Sequence, residues 1–114
     1  MSGVGKIGKL VRDKIPDVIL KSGKKCNYSV LTDGEYLTAL KRKVVEEATE
    51  VEGADCNTKI IEELGDLLDV VETIVMVCGL SMKDINSSRK TKNEKYGGFS
   101  GKIFLQEIHE EKDK

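Results

Sequence analysis

The chain has no tryptophan, one proline and one histidine in 114 residues, and aromatic side chains make up 4% of it. So few rings offer little on which nucleic-acid bases could stack. Nineteen basic residues against twenty acidic ones give a formal net charge of −1, so no basic field draws in a polyanion. Nucleic acid is therefore not an expected partner. His109 stands in the tail, which argues against a Ser–His or Cys–His nucleophile pair. Cys26, Cys56 and Cys78 cannot all pair within one chain and form no CxxC motif. A reducing cytoplasm is the simplest setting for them, with Cys78 expected to be a packed thiol. No apolar run has the length of a membrane span or the form of a signal peptide, so no membrane partner is expected. Gly3-x-Gly5-x-x-Gly8 matches a dinucleotide-binding pattern by letters. It lacks a preceding strand and a βαβ unit, so that reading is rejected.

What the chain does have is helical periodicity with clear punctuation. Its length leaves room for one domain over residues 1–114, with 1–8 and 109–114 expected to be mobile. Pro16 suits the first turn of a short helix ending before Gly23. Residues 26–31 alternate weakly, as a short strand or an extended loop. Thr32-x-x-Glu35 is a capping box opening a helix over about 33–53. A second helix is expected over about 59–78, capped by Asn57 or Thr58 and stopped at Gly79. Ser81-x-x-Asp84 opens a third long helix over about 82–95, ended by Gly97-Gly98, and residues 100–108 read as extended or irregular. The fold class expected is all-α. Its centre is a helical hairpin that completes a four-helix-bundle-like core by oligomerisation, because a chain this small buries little by itself.

The acids carry the chemistry. Glu46-Glu47-x-x-Glu50 and Glu63-x-x-Asp66 lie inside apolar runs, with residues 51–62 between them. At about 100° per residue, Leu37, Leu40, Val44, Ala48 and Val51 form one stripe with Glu47 on its flank. Ile60, Leu64, Leu67, Val71, Ile74 and Cys78 form the next stripe. Glu63 falls inside that apolar arc and Asp66 on its polar edge, while Glu62, Asp69 and Glu72 point away. A short connector makes the two helices antiparallel, so the two acidic levels coincide. Carboxylates drawn together on a packed face repel unless a cation lies among them. A hard divalent cation with oxygen ligands answers that charge, and Mg²⁺ or Mn²⁺ suits it better than zinc, since no His or Cys lies at ligand spacing. The alternative is a solvated charged face with helix-surface ion pairs.

This pattern resembles the signature of the all-α nucleoside triphosphate pyrophosphohydrolases, which include MazG proteins, phosphoribosyl-ATP pyrophosphohydrolases and dimeric dUTPases. Glu62-Glu63-Leu64-Gly65-Asp66-Leu67-Leu68 is similar to the MazG branch in particular. Asn93-x-Lys95-Tyr96, Gly97-Gly98-Phe99 and Lys102 resemble that branch's C-terminal phosphate-contacting segment. Leu10-Val11-Arg12-Asp13-Lys14-Ile15-Pro16 resembles the opening of a small MazG-like subgroup. The resemblance implies Mg²⁺-dependent hydrolysis of a nucleotide between its α- and β-phosphates, by a homodimer or homotetramer.

On that reading the metal ligands are Glu47, Glu50, Glu63 and Asp66. Glu46 is either the residue that positions or deprotonates the attacking water or a surface acid opposite the core stripe. Lys43 and Lys59 stand three and four residues ahead of Glu46 and Glu63, as counter-charges or phosphate contacts. Arg12, Lys14, Lys92, Asn93, Lys95 and Lys102 are the candidate phosphate contacts. Phosphoribosyl-ATP hydrolysis is the runner-up reaction. A metal- or nucleotide-binding helical module without turnover is the alternative of another class, and a purely structural helical oligomer is a third.

Overall fold

The computed structural model describes residues 8–111. It is all-helical, with four helices and no strand among the described residues: α1 (Ile15–Lys21), α2 (Asp33–Gly53), α3 (Asn57–Val77) and α4 (Met82–Tyr96). The chain divides into two compact units, Met1–Leu80 and Ser81–Lys114. The expectation of mobile ends falls mostly on residues 1–7 and 112–114, which lie outside the described residues.

In the first unit α1 begins with Pro16 in its first turn, where a missing N–H costs nothing. Residues 24–32 form neither helix nor strand, so the stretch over 26–31 is an irregular connection rather than a strand. The capping box of α2 forms in full. The Thr32 N–H donates to Glu35 Oε1 at 3.0 Å, and the Glu35 N–H donates to Thr32 Oγ1 at 3.4 Å. Those donors, the backbone N–H of Thr32 first and its hydroxyl second, hold the Glu35 carboxyl below its ordinary range.

The second long helix starts two residues earlier than expected. Cys56 is the N-cap, in an extended conformation, and its side chain makes no capping bond. Its carbonyl accepts from the Ile60 N–H at 3.0 Å. The connector 54–56 leads straight into the helix, which takes Asn57 and Thr58 into its first turn. The far end is a Schellman closure. Gly79 has φ +70°, its N–H donates to the Met76 carbonyl at 3.0 Å, and the Leu80 N–H donates to the Val75 carbonyl at 2.9 Å.

Helices α2 and α3 pack against each other. A three-residue connector between helices in such contact makes them an antiparallel hairpin. Among the described residues Leu40 and Val75, at 2% and 6% exposure, are the buried apolar side chains. Leu37, Val44 and Val51 flank them from α2, and Ile60, Leu67, Val70 and Ile74 from α3, all half-buried. The observed stripe departs from the expected one at three places. Ala48 and Cys78 are exposed, so Cys78 is not a packed thiol, and Leu64 is 42% exposed. Helix α3 turns the line through Glu63, Leu67, Val70 and Ile74 toward α2. Leu64 is thereby left on the flank with Ile61 and Leu68, at i, i+3 and i+7 spacing.

In the second unit α4 opens with the expected capping box between Ser81 and Asp84. It closes at Gly97, whose φ of +83° a side chain would strain and whose N–H donates to the Asn93 carbonyl at 2.9 Å. Residues 97–111 form neither helix nor strand, and Phe99, Ile103, Phe104, Leu105 and Ile108 are exposed.

Leu40 is the most enclosed side chain, so Leu40→Ala is expected to cost about 2–4 kcal/mol. Urea unfolding followed by circular dichroism measures it. A cost within about 0.5 kcal/mol, the surface range, would mean that the hairpin interface lies elsewhere.

Candidate metal centre

The hairpin brings one acid of α2 to two acids of α3. Carboxylate oxygens of Glu47, Glu63 and Asp66 lie within 4.8 Å of one another. Glu63 and Asp66 are neighbours one turn apart on α3, and the antiparallel register sets Glu47 opposite them. The Glu47 side chain keeps only 12% of its surface, while Asp66 keeps 42%. Glu63 has its carboxyl pushed above the ordinary range, first because it is desolvated and then by the charges of Glu50, Asp66, Glu47 and Glu62. Glu50 stands outside the tight triad, exposed to solvent, but acts on it through that charge.

Three cations answer part of this field. Lys43 Nζ lies 3.4 Å from Glu46 and 3.7 Å from Glu47, and its side chain is only 17% exposed. Lys9 reaches Glu46 at 3.9 Å. Arg12 Nη2 donates to Asp66 Oδ1 at 2.7 Å and meets Asp69 Oδ2 at 2.8 Å. Hydrogen bonds to Asp69 and then Asp66 hold the guanidinium pKa above its ordinary value. Asp69 does face solvent, as the helical wheel has it, yet it shares this arginine with Asp66. Neither that partnership nor Lys9 is visible in a helical wheel, because both come from a segment outside the hairpin. The i,i+3 spacing of Asp66 and Asp69 is the one signal in the sequence from which a shared cation could have been read.

Of the other expected residues, Glu46 is half-buried and bridged by Lys43 and Lys9. Lys59 is exposed near the start of α3 and, among the described residues, forms no ion pair. Lys14 is exposed at the N-cap of α1. Lys92, Asn93, Lys95 and Lys102 belong to the second unit. There Asn93 Nδ2 donates to the Arg89 carbonyl at 2.7 Å, Lys95 Nζ sits 5.2 Å from the Tyr96 ring centroid, and Lys102 has φ +59°.

A cleft of about 280 Å³ opens beside the triad. Val11 and Arg12 line it from the opening segment, Tyr36, Lys43 and Glu47 from α2, and Asp69 from α3. A second hollow is formed along one side of α2 alone, by Arg42, Val45, Glu46, Thr49 and Glu50, and it has no opposing wall. The triad offers oxygen donors only, a set that fits a hard divalent cation such as Mg²⁺ or Mn²⁺ and fits zinc poorly.

The chain is 39% identical over 56 residues to an uncharacterized protein of Mycolicibacterium smegmatis. The match covers 49% of this chain and 57% of that protein. No family model matches the chain, and no solved structure matches it.

The raised Glu63 carboxyl makes stability depend on pH when divalent cations are chelated. The folded state holds that proton more tightly than the unfolded chain does. Its contribution is therefore fully present below the ordinary glutamate value of 4.5 and is lost as pH rises through the raised value. Thermal melts in chelator are expected to show wild type losing stability relative to Glu63→Gln across that window. Parallel pH profiles for the two proteins would remove Glu63 from the desolvated, like-charged position described above.

Proposed function

We propose that the chain is a MazG-like nucleoside triphosphate pyrophosphohydrolase. It would hydrolyse a nucleotide between the α- and β-phosphates, giving a monophosphate and pyrophosphate. The observation that carries this reading is the meeting of Glu47 with Glu63 and Asp66, the acids on which the family resemblance rests. The resemblances around Arg12 and around Asn93 support it independently.

Glu47, Glu63 and Asp66 would hold Mg²⁺, with Glu50 close enough in charge to join them. A divalent ion bound there supplies charge neutralisation for phosphate oxygens and a bound water of lowered pKa. The chain's own groups do the rest. Glu46, held by Lys43 and Lys9, would orient the attacking water or take its proton. Lys43 keeps its ammonium between Glu46 and Glu47, where it tempers the repulsion in the apo protein and can face a phosphate once a substrate enters. The opening segment and α2 line the cleft beside these groups.

The test is a panel of nucleoside triphosphates with Mg²⁺, products identified by ion-exchange chromatography. Pyrophosphate and monophosphate are expected from at least one member. Glu63→Gln is expected to lower kcat/KM by at least about 100-fold, beyond the about 10–100-fold cost of losing a group that merely supports a metal ligand. Metal binding with no pyrophosphate from any member would replace this reading with that of a binding module.

The proposal extends to assembly as a homodimer or homotetramer. Ile61, Leu64 and Leu68 leave an apolar line on the outside of α3 at 71%, 42% and 58% exposure, and Val45 of α2 is 66% exposed. A second hairpin laid on such faces would complete a four-helix core. Leu68→Glu is expected to shift sedimentation toward the monomer. The substitution is nearly neutral within one chain, about 0.5 kcal/mol or less, because the side chain is already exposed. Sedimentation of wild type as a monomer at every concentration would remove this part. Among the described residues no helix is long and apolar enough to cross a membrane.

A further inference from the structure

Resting on the metal centre just proposed, the geometry points to Arg12 as an exchangeable cation of the site. Asp66 is its partner while the metal is absent, Asp69 is its standing anchor, and the phosphate of the ligand is its partner once the metal is bound. One guanidinium nitrogen carries both contacts, at 2.7 Å to Asp66 and 2.8 Å to Asp69. The two aspartates differ in what else they touch. Asp66 belongs to the oxygen triad with Glu47 and Glu63, whereas Asp69, one turn further on, does not. A divalent cation therefore competes with Arg12 for Asp66 and leaves the Asp69 contact intact.

The exchange is physically easy. Arg12 and Asp66 keep 60% and 42% of their side-chain surface, and exposed ion pairs are weak. Divalent charge against several carboxylates outweighs one such pair. Arg12 also lines the 280 Å³ cleft, together with Asp69, Lys43 and Glu47. Released from Asp66 but tethered through Asp69, its planar fork stays at the cleft wall, where a phosphate held by the metal would lie. Guanidinium geometry suits two oxygens of one phosphate. Asp69 thus becomes a positioning residue that acts through Arg12, although nothing in the acidic motif includes it.

Calorimetric titrations of the full chain test this, first with Mg²⁺ alone and then with inorganic pyrophosphate at saturating Mg²⁺. Arg12→Gln is expected to take up Mg²⁺ several-fold more tightly than wild type. Lys9→Gln, which removes a nearby cation that touches Glu46 and not Asp66, is expected to change Mg²⁺ affinity less than twofold. Pyrophosphate binding is expected to weaken several-fold in Arg12→Gln and also in Asp69→Asn. The second result has the decisive sign. Simple removal of a negative charge would strengthen anion binding, whereas loss of the anchor weakens it. Equal or weaker Mg²⁺ uptake by Arg12→Gln, an equal gain in Lys9→Gln, or unchanged or tighter pyrophosphate binding by Asp69→Asn would each overturn the proposal. If wild type and Arg12→Gln alike take up no Mg²⁺, the metal centre itself fails and the exchange falls with it. Melting curves for each variant confirm that the comparison is between folded proteins.

Discussion

The arrangement depends on carboxylates that two packed helices force together. The same helix register that encloses Leu40 and Val75 sets Glu47 on α2 opposite Glu63 and Asp66 on α3. Apolar contact and like-charge repulsion thus act on the same pair of helices with opposite sign. The fold answers with cations from two directions, Lys43 from within α2 and Arg12 and Lys9 from the opening segment. The result is a wall of mixed charge in which acid outnumbers base. Such a wall is a natural seat for a multiply charged cation, and that consideration underlies the functional proposal.

Much of the fold was legible in the order of the residues. Thr32 with Glu35 and Ser81 with Asp84 announced two helix starts, because a capping box satisfies backbone donors in only one way. Gly79 and Gly97 announced two ends through a backbone conformation that other residues adopt at a cost. The start of α3 was not legible to the residue. Cys56 caps with its backbone alone, so the apparent side-chain caps Asn57 and Thr58 became helical residues instead. The exposure of Leu64 and Cys78 was missed for a related reason. A wheel orders residues around one helix but does not say how far that helix rotates against its neighbour.

The candidate site divides along the same line. Glu63 inside the apolar arc, with Asp66 one turn on, is a local pattern, and the hairpin brings Glu47 to both. Arg12 meets Asp66 across 54 residues of chain, a distance over which periodicity carries nothing. The opening segment drew notice through its resemblance to a small MazG-like subgroup, and its contact with Asp69 came only with three-dimensional coordinates.

The connector 54–56 has a kinetic consequence. It is so short that α2 and α3 meet with little loop entropy to overcome. Helical bundles, with the short-range bonds of their helices, fold in roughly microseconds to milliseconds. A nascent chain would thus have Glu47, Glu63 and Asp66 side by side once residue 77 cleared the ribosome, before α4 had emerged. The acidic face would be ready early, with the exposed apolar line of α3 formed in the same step.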